Sequence, residues 1–163
     1  MFESWLLLGT VGAFLALVVL VWRPARAAAR EAKFARARRV FHTQRERLEA
    51  KFVQLASAHA AANGPRWADC DFDDDVAYVR NRSTKELAAF VEVSVAVDDL
   101  EPPSAGFSGL IDNRRVGTAV FRFDRDHWVT DGRAILNFSP SEAIHYYCDD
   151  LEVVGEELAH HRS

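Results

Sequence analysis

The arrangement of apolar positions changes twice along the first hundred residues. Trp5 to Trp22, WLLLGTVGAFLALVVLVW, is an uncharged run of 18 residues. As a helix it would reach about 27 Å at ~1.5 Å per residue, close to the ~30 Å hydrocarbon core of a bilayer, with a tryptophan at each interface. The pattern predicts a transmembrane helix. From Ala25 to Asn63 the chain is rich in Ala, Arg, Glu, Lys and Gln and holds no Gly or Pro, which predicts a second helical stretch. Phe34, Phe41, Leu48, Phe52, Leu55 and His59 form one stripe, with Ala37 beside them. Arg45 interrupts it, and Gln44 and Lys51 stand where a coiled coil needs apolar residues, so the stripe is expected to pack on a sheet. Asn63-Gly64-Pro65 is the expected stop.

Beyond Pro65 the period becomes two. In Glu86 to Asp98, Leu87, Ala89, Val91, Val93, Val95 and Val97 share one face and Glu86, Ala88, Phe90, Glu92, Ser94 and Ala96 the other, which predicts a strand. Asp75 to Arg80 reads as its hairpin partner across Asn81 to Lys85. Arg115 to Phe123 and His127 to Phe138 read as a second pair around Asp124-Arg125-Asp126, with a bulge at Gly132. Trp67 to Phe72 reads as a further short strand. The short connections imply antiparallel neighbours. Ser139-Pro140-Ser141-Glu142 carries a capping box with proline at the first helical position. Ile144, Tyr147, Cys148, Leu151, Val154 and Leu158 continue one face, so a C-terminal helix is expected, weakened at Gly155. The expected fold is α+β: a transmembrane helix, a long helix, a four- or five-stranded antiparallel sheet and a C-terminal helix. By architecture this is the ingredient list of the cystatin-like and NTF2-like folds.

Charge gives this layout a direction. Arg23, Arg26, Arg30, Lys33, Arg36, Arg38 and Arg39 follow the apolar run against Glu31 alone, and only the terminal amine and Glu3 precede it. The positive-inside rule therefore places the N-terminus outside and the C-terminal domain in the cytoplasm of a single-pass signal anchor. The alternative, a cleaved leader with an exported domain, has small residues at Ala25, Ala27 and Ala29. It lacks a basic n-region, and its apolar stretch exceeds the roughly 7–15 residues usual for a leader. The expected parts are a tail at 1–4, the span at 5–22, a basic helical stalk at 23–39 and a domain at 40–163.

Residues 1–66 carry 11 Lys and Arg against 4 Asp and Glu, whereas residues 67–163 carry 9 against 20, so a basic stalk precedes an acidic body. An acidic body repels nucleic acid, which is not an expected partner. The expected partners are the bilayer, a second copy through the small-residue face Gly9, Gly12, Ala13 and Ala16, and a protein or small ligand. Only Arg23 and Arg26 of the stalk are expected to feel lipid headgroups, because surface potential decays over ~8 Å.

The segments FHTQRERLEAKF, RWADCDFDDDVAYVR, TAVFRFD and TDGRAILNFSPSEAI resemble parts of uncharacterised bacterial single-pass membrane proteins that have a basic stalk and a small C-terminal α+β domain. The resemblance covers roughly residues 40–147. It implies an intact domain and brings no activity, cofactor or catalytic residue.

Candidate chemistry is sparse. Asp69, Asp71 and Asp73 imitate the opening of a calcium loop, but an EF-hand needs Gly where Asp74 stands and Glu where Arg80 stands. The expected arrangement turns Ala68, Cys70 and Phe72 inward and the aspartates to solvent. Cys70, Cys148 and His145 provide at most three zinc ligands and no C-x-x-C knuckle, so both cysteines are expected as buried free thiols. No metal and no cofactor is expected. His59 reads as a packed or capping histidine. Tyr78, His127, Asp131 and His145 are the available groups for a small pocket enzyme of hydrolase or isomerase type. The favoured reading is a membrane-anchored, non-enzymatic binding module; a structural membrane oligomer is a third reading. The loop from Asp98 to Arg114 is long for a hairpin connection, and Phe107, Leu110 and Ile111 are its expected binding anchors.

Because the basic residues all follow the span, a C-terminal reporter active only in the cytoplasm should work. Activity of an export-dependent reporter alone would reverse the topology.

Overall fold

The computed structural model describes the backbone of residues 2–60, 66–96 and 114–159, with side chains from Trp22 onward apart from Ala25, Ala27 and Ala68. The chain divides into two compact units, Met1–Val40 and Phe41–Ser163. Helix α1 (Phe2–His59) contributes to both and runs through Pro24. The two helical stretches predicted on either side of Pro24 are thus one element, although the proline lacks the amide that would bond the carbonyl four residues earlier. Within the first unit the Arg26 guanidinium lies 4.0 Å above the centre of the Trp22 ring. Among the described residues no helix is long and apolar enough to cross a membrane; of the run Trp5 to Trp22, only the Trp22 side chain belongs to them. The packing of Gly9, Gly12, Ala13 and Ala16 lies outside what is described, as do Asn63-Gly64-Pro65 and the loop bearing Phe107, Leu110 and Ile111. The helix ends at His59, earlier than Asn63, and His59 is exposed in the last turn.

The second unit is α+β. Strands β1 (Arg66–Asn81), β2 (Leu87–Ala96), β3 (Arg114–Asp124), β4 (His127–Val129), β5 (Ala134–Leu136) and β6 (Leu151–Glu157) form one antiparallel sheet in the order β4-β3-β2-β1-β6, with β5 also on β3. The β1–β2 turn is fixed by the Asn81 side chain, which accepts from the amides of Ser83 and Thr84 at 2.8 and 2.9 Å. The predicted strands at 67–72 and 75–80 are a single strand, whose pairing with β2 shifts between Phe72 and Val76.

The alternation in β2 separates two cores. On one face Ala89, Val91, Val93 and Val95 are fully buried together with Val76, Tyr78, Ala119 and Phe121. Helix α1 covers this face. Phe41 packs edge-on against Tyr78, Phe121 and Trp128 at ring separations of 5.9, 5.7 and 5.0 Å, and Phe52 packs against Trp67, Phe72 and Phe121. Such pairs add about 0.5–1.5 kcal/mol each beyond the area they bury. On the opposite face Val79 and Phe90 meet Ala143 of helix α2 (Pro140–Tyr146), with Ala77, Ala88, Val120, Ile135, Phe138, Ile144 and Leu151 around them.

Helix α2 opens on the predicted capping box: the Ser139 hydroxyl accepts from the Glu142 amide, and the Glu142 carboxylate accepts from the Ser139 amide at 2.8 Å. Its continuation to Leu158 is corrected. The helix stops at Tyr146, and after a turn the chain becomes β6 along the outer edge of β1. Val153, Val154 and Gly155 are poor helix formers, and the unpaired amides and carbonyls of β1 offer them a ladder. Local periodicity yields here to the sheet edge.

The predicted strand from His127 to Phe138 is broken where the bulge was expected. β4 and β5 both pair with β3, in registers offset by two residues. Between them the Thr130 hydroxyl donates to the Val120 carbonyl and accepts from the Gly132 amide. Gly132 has φ +73° and touches α1: a Cβ there would stand 2.6 Å from Leu55 Cβ and 2.7 Å from the Ala56 nitrogen. Gly132→Ala should therefore destabilise the protein by about 2–4 kcal/mol through overpacking and left-handed backbone strain, whereas Arg133→Ala beside it should change stability by less than ~0.5 kcal/mol. Urea unfolding followed by tryptophan fluorescence checks both.

Candidate functional site

The acidic segment Asp69 to Asp75 is built into β1 as an irregularity. Asp69, Asp71, Asp73 and Asp74 are exposed, and Phe72 packs on Phe52, so the expected inward and outward division holds for the described side chains. Asp73 accepts from the Asp75 amide at 3.0 Å and closes a local turn. The Arg45 guanidinium donates to the carbonyls of Asp73 and Asp74 and pairs with Glu49 at 2.7 Å. That explains the interruption in the apolar stripe: the bulge leaves two carbonyls without a strand partner, and a charged donor from α1 meets them. The bulge is held by a helix side chain.

At this end of the sheet, Asp75 also accepts from the Ala159 amide at 2.5 Å. Between the bulge, β6 and α2 lies a cleft of about 220 Å³. Its apolar lining comes from Val76, Ala77, Ile144 and Leu158, and its carboxylates from Asp73, Asp75, Glu92, Glu156 and Glu157. Burial raises the Glu92 carboxyl above the usual carboxylate range, and Asp73, Asp75 and Glu142 push it the same way. Glu142, by contrast, is lowered by its hydrogen bonds to Ser139. On the α1 side of the same strand end, Glu157 accepts from the buried Tyr78 hydroxyl at 3.0 Å, and the same oxygen lies 2.7 Å from His42 Nε2.

The four groups singled out for a pocket enzyme are spread over the domain. Tyr78 faces α1 in the filled aromatic core. His127 is exposed where β3 turns into β4, 3.3 Å from Asp126. Asp131 sits in the β4–β5 break within 3.7 Å of Arg122 and 3.5 Å of Arg133, and His145 is exposed on α2. Neither this cleft nor a second cavity beside β4 gathers them.

No family model, curated protein or solved structure matches the chain.

Cys70 is half-buried, and burial raises its thiol above the ordinary value. Cys148 is exposed, which corrects the expectation that it would be buried: the helix whose apolar face it was to join has already ended, and it falls in the turn before β6. Among the described residues no group of three His, Cys, Asp or Glu is placed to hold a metal ion. Sequence reading missed Arg45 and Glu92 as participants. The signal for Arg45 was its position in the stripe, and for Glu92 its place two residues from Phe90 on the α2 face.

A Glu whose pKa is raised on folding opposes folding once ionised. Glu92→Gln should raise the melting temperature at pH 7, and the gain should shrink as pH falls and vanish below the ordinary value of 4.5. Melting curves of both proteins between pH 4 and 8 check the sign; a gain independent of pH would dissociate it from ionisation.

Proposed function

We propose that the chain is a membrane-anchored, non-enzymatic binding module whose C-terminal domain lies in the cytoplasm. The observation that carries the reading is the filled face beneath α1. A cystatin-like or NTF2-like sheet can serve a pocket enzyme only when its helix-covered side keeps room for substrate and for converging polar groups. Here Phe41, Phe52, Tyr78, Phe121 and Trp128 occupy that side, each at most 3% exposed. Binding would then fall to the outer surface and the loops. Tyr146 and Tyr147, edge to face at the C-terminal end of α2 and 67% and 41% exposed, are apolar surface of the kind that contacts partners.

The anchor rests on the sequence: 18 uncharged residues bounded by tryptophans and followed by seven basic residues. The Trp22 and Arg26 pair supports it, since an aromatic ring under a guanidinium suits the boundary between lipid and water. Self-association through Gly9, Gly12, Ala13 and Ala16 belongs to the same proposal, as does kinship with bacterial single-pass proteins of this layout.

The loop from Asp98 to Arg114 is the proposed contact, through Phe107, Leu110 or Ile111. Replacing it by a short Gly-Ser turn should leave the melting temperature of the domain unchanged and abolish partner recovery in a pull-down from detergent-solubilised membranes. Full recovery with the short turn would refute the binding role of the loop.

A further inference from the structure

The second cavity lies between α1 and β4 and has a volume of about 240 Å³. Leu48 and Trp128, 5% and 3% exposed, form an apolar floor, and Arg47, Lys51, Gln44 and His127 complete the lining with Val129. No carboxylate lines it, although acidic residues outnumber basic ones along the chain, 24 to 20. Arg45, Arg66, Arg114, Arg122 and Arg133 each meet an aspartate or glutamate. Among the described residues neither Arg47 nor Lys51 has a carboxylate within ion-pair distance. They are also four apart on one helix, a spacing at which like charges repel by about 0.2–0.5 kcal/mol unless an anion lies between them.

We propose that this cavity is a binding site for a small organic anion, a carboxylate or phosphate ester carrying an apolar body. The two cations and the Gln44 amide would take the anionic group, and the apolar body would lie on Leu48 and Trp128. A guanidinium offers a planar fork to carboxylate or phosphate oxygens, and the ammonium adds a second charge without fixed geometry. The volume is below the ~300–1,000 Å³ of pockets for drug-sized ligands, so the body is no larger than a single ring or a short chain. Gln44 and Lys51 are the residues that break the heptad pattern of α1, and the cavity gives their position a use. None of the lining residues belongs to the segment 98–114, so the failure of either proposal leaves the other standing.

The test is calorimetric titration of the full chain in uncharged detergent with benzoate, phenyl phosphate, acetate and inorganic phosphate. Benzoate or phenyl phosphate should bind at least tenfold more tightly than acetate or inorganic phosphate. The double variant Arg47→Gln/Lys51→Gln, whose altered side chains are exposed, should keep the melting temperature and lose at least tenfold in affinity. Repeating the benzoate titration on the chain reconstituted in vesicles of neutral and of anionic phospholipid separates a headgroup from a free anion as the source of the charge: a free-anion site keeps its benzoate affinity in both. Equal binding by the double variant, equal binding of the four anions, or loss of benzoate binding in anionic vesicles overturns the proposal.

Discussion

Phe41 and Phe52, three turns apart on α1, hold the domain together because, among the described residues, α1 is the element that covers the main face of the sheet. Around them gather Trp67, Phe72, Tyr78, Phe121 and Trp128, drawn from β1, β3 and β4. The valines of β2 are fully buried in the same layer. The close approach of the β4–β5 break to α1, which leaves room only for Gly132, and the Arg45 clamp on the β1 bulge both depend on the helix lying where these two rings place it. A side chain that filled less of this space would leave a cavity costing about 3–5 kcal/mol, a large part of the stability of a domain this size.

Filling that face also decides where chemistry can occur. Polar groups that an enzyme would point into a pocket are here either buried in pairs, as Tyr78 is with Glu157, or set on turns, as His127 and Asp131 are. Among the described residues, two hollows lie at the margins of the helix and the sheet: the acidic cleft at the free end of β6 and the basic cavity beside β4. The two have opposite charge and share no lining residue. The basic lining of the hollow beside β4 is what suits it to the proposed small anion.

The strict alternation of β2, the capping box at Ser139, the turn at Asn81 and the break at Gly132 were legible because each is a local signal with a local cause. The apolar stripe of α1 was legible in the same way, and its apparent defects proved informative: Arg45 answers the carbonyls of a bulge, while Gln44 and Lys51 line a cavity. What escaped sequence reading was set at long range. β6 looks helical until the empty edge of β1 is considered, Cys148 looks buried only if that helix continues, and Glu92 looks like an ordinary surface carboxylate until α2 and the bulge are brought beside it. The catalytic candidates failed to converge because residue type without spacing carries no geometry.

Alkaline extraction of membranes tests most directly the proposal that the apolar run is a tether and that the domain folds without it. The full chain should stay with the membrane pellet in carbonate at high pH, and a chain beginning at Arg23 should appear in the supernatant with the same cooperative unfolding transition. Release of the full chain by alkali would contradict the anchor, and loss of the cooperative transition in the shortened chain would contradict the independence of the domain.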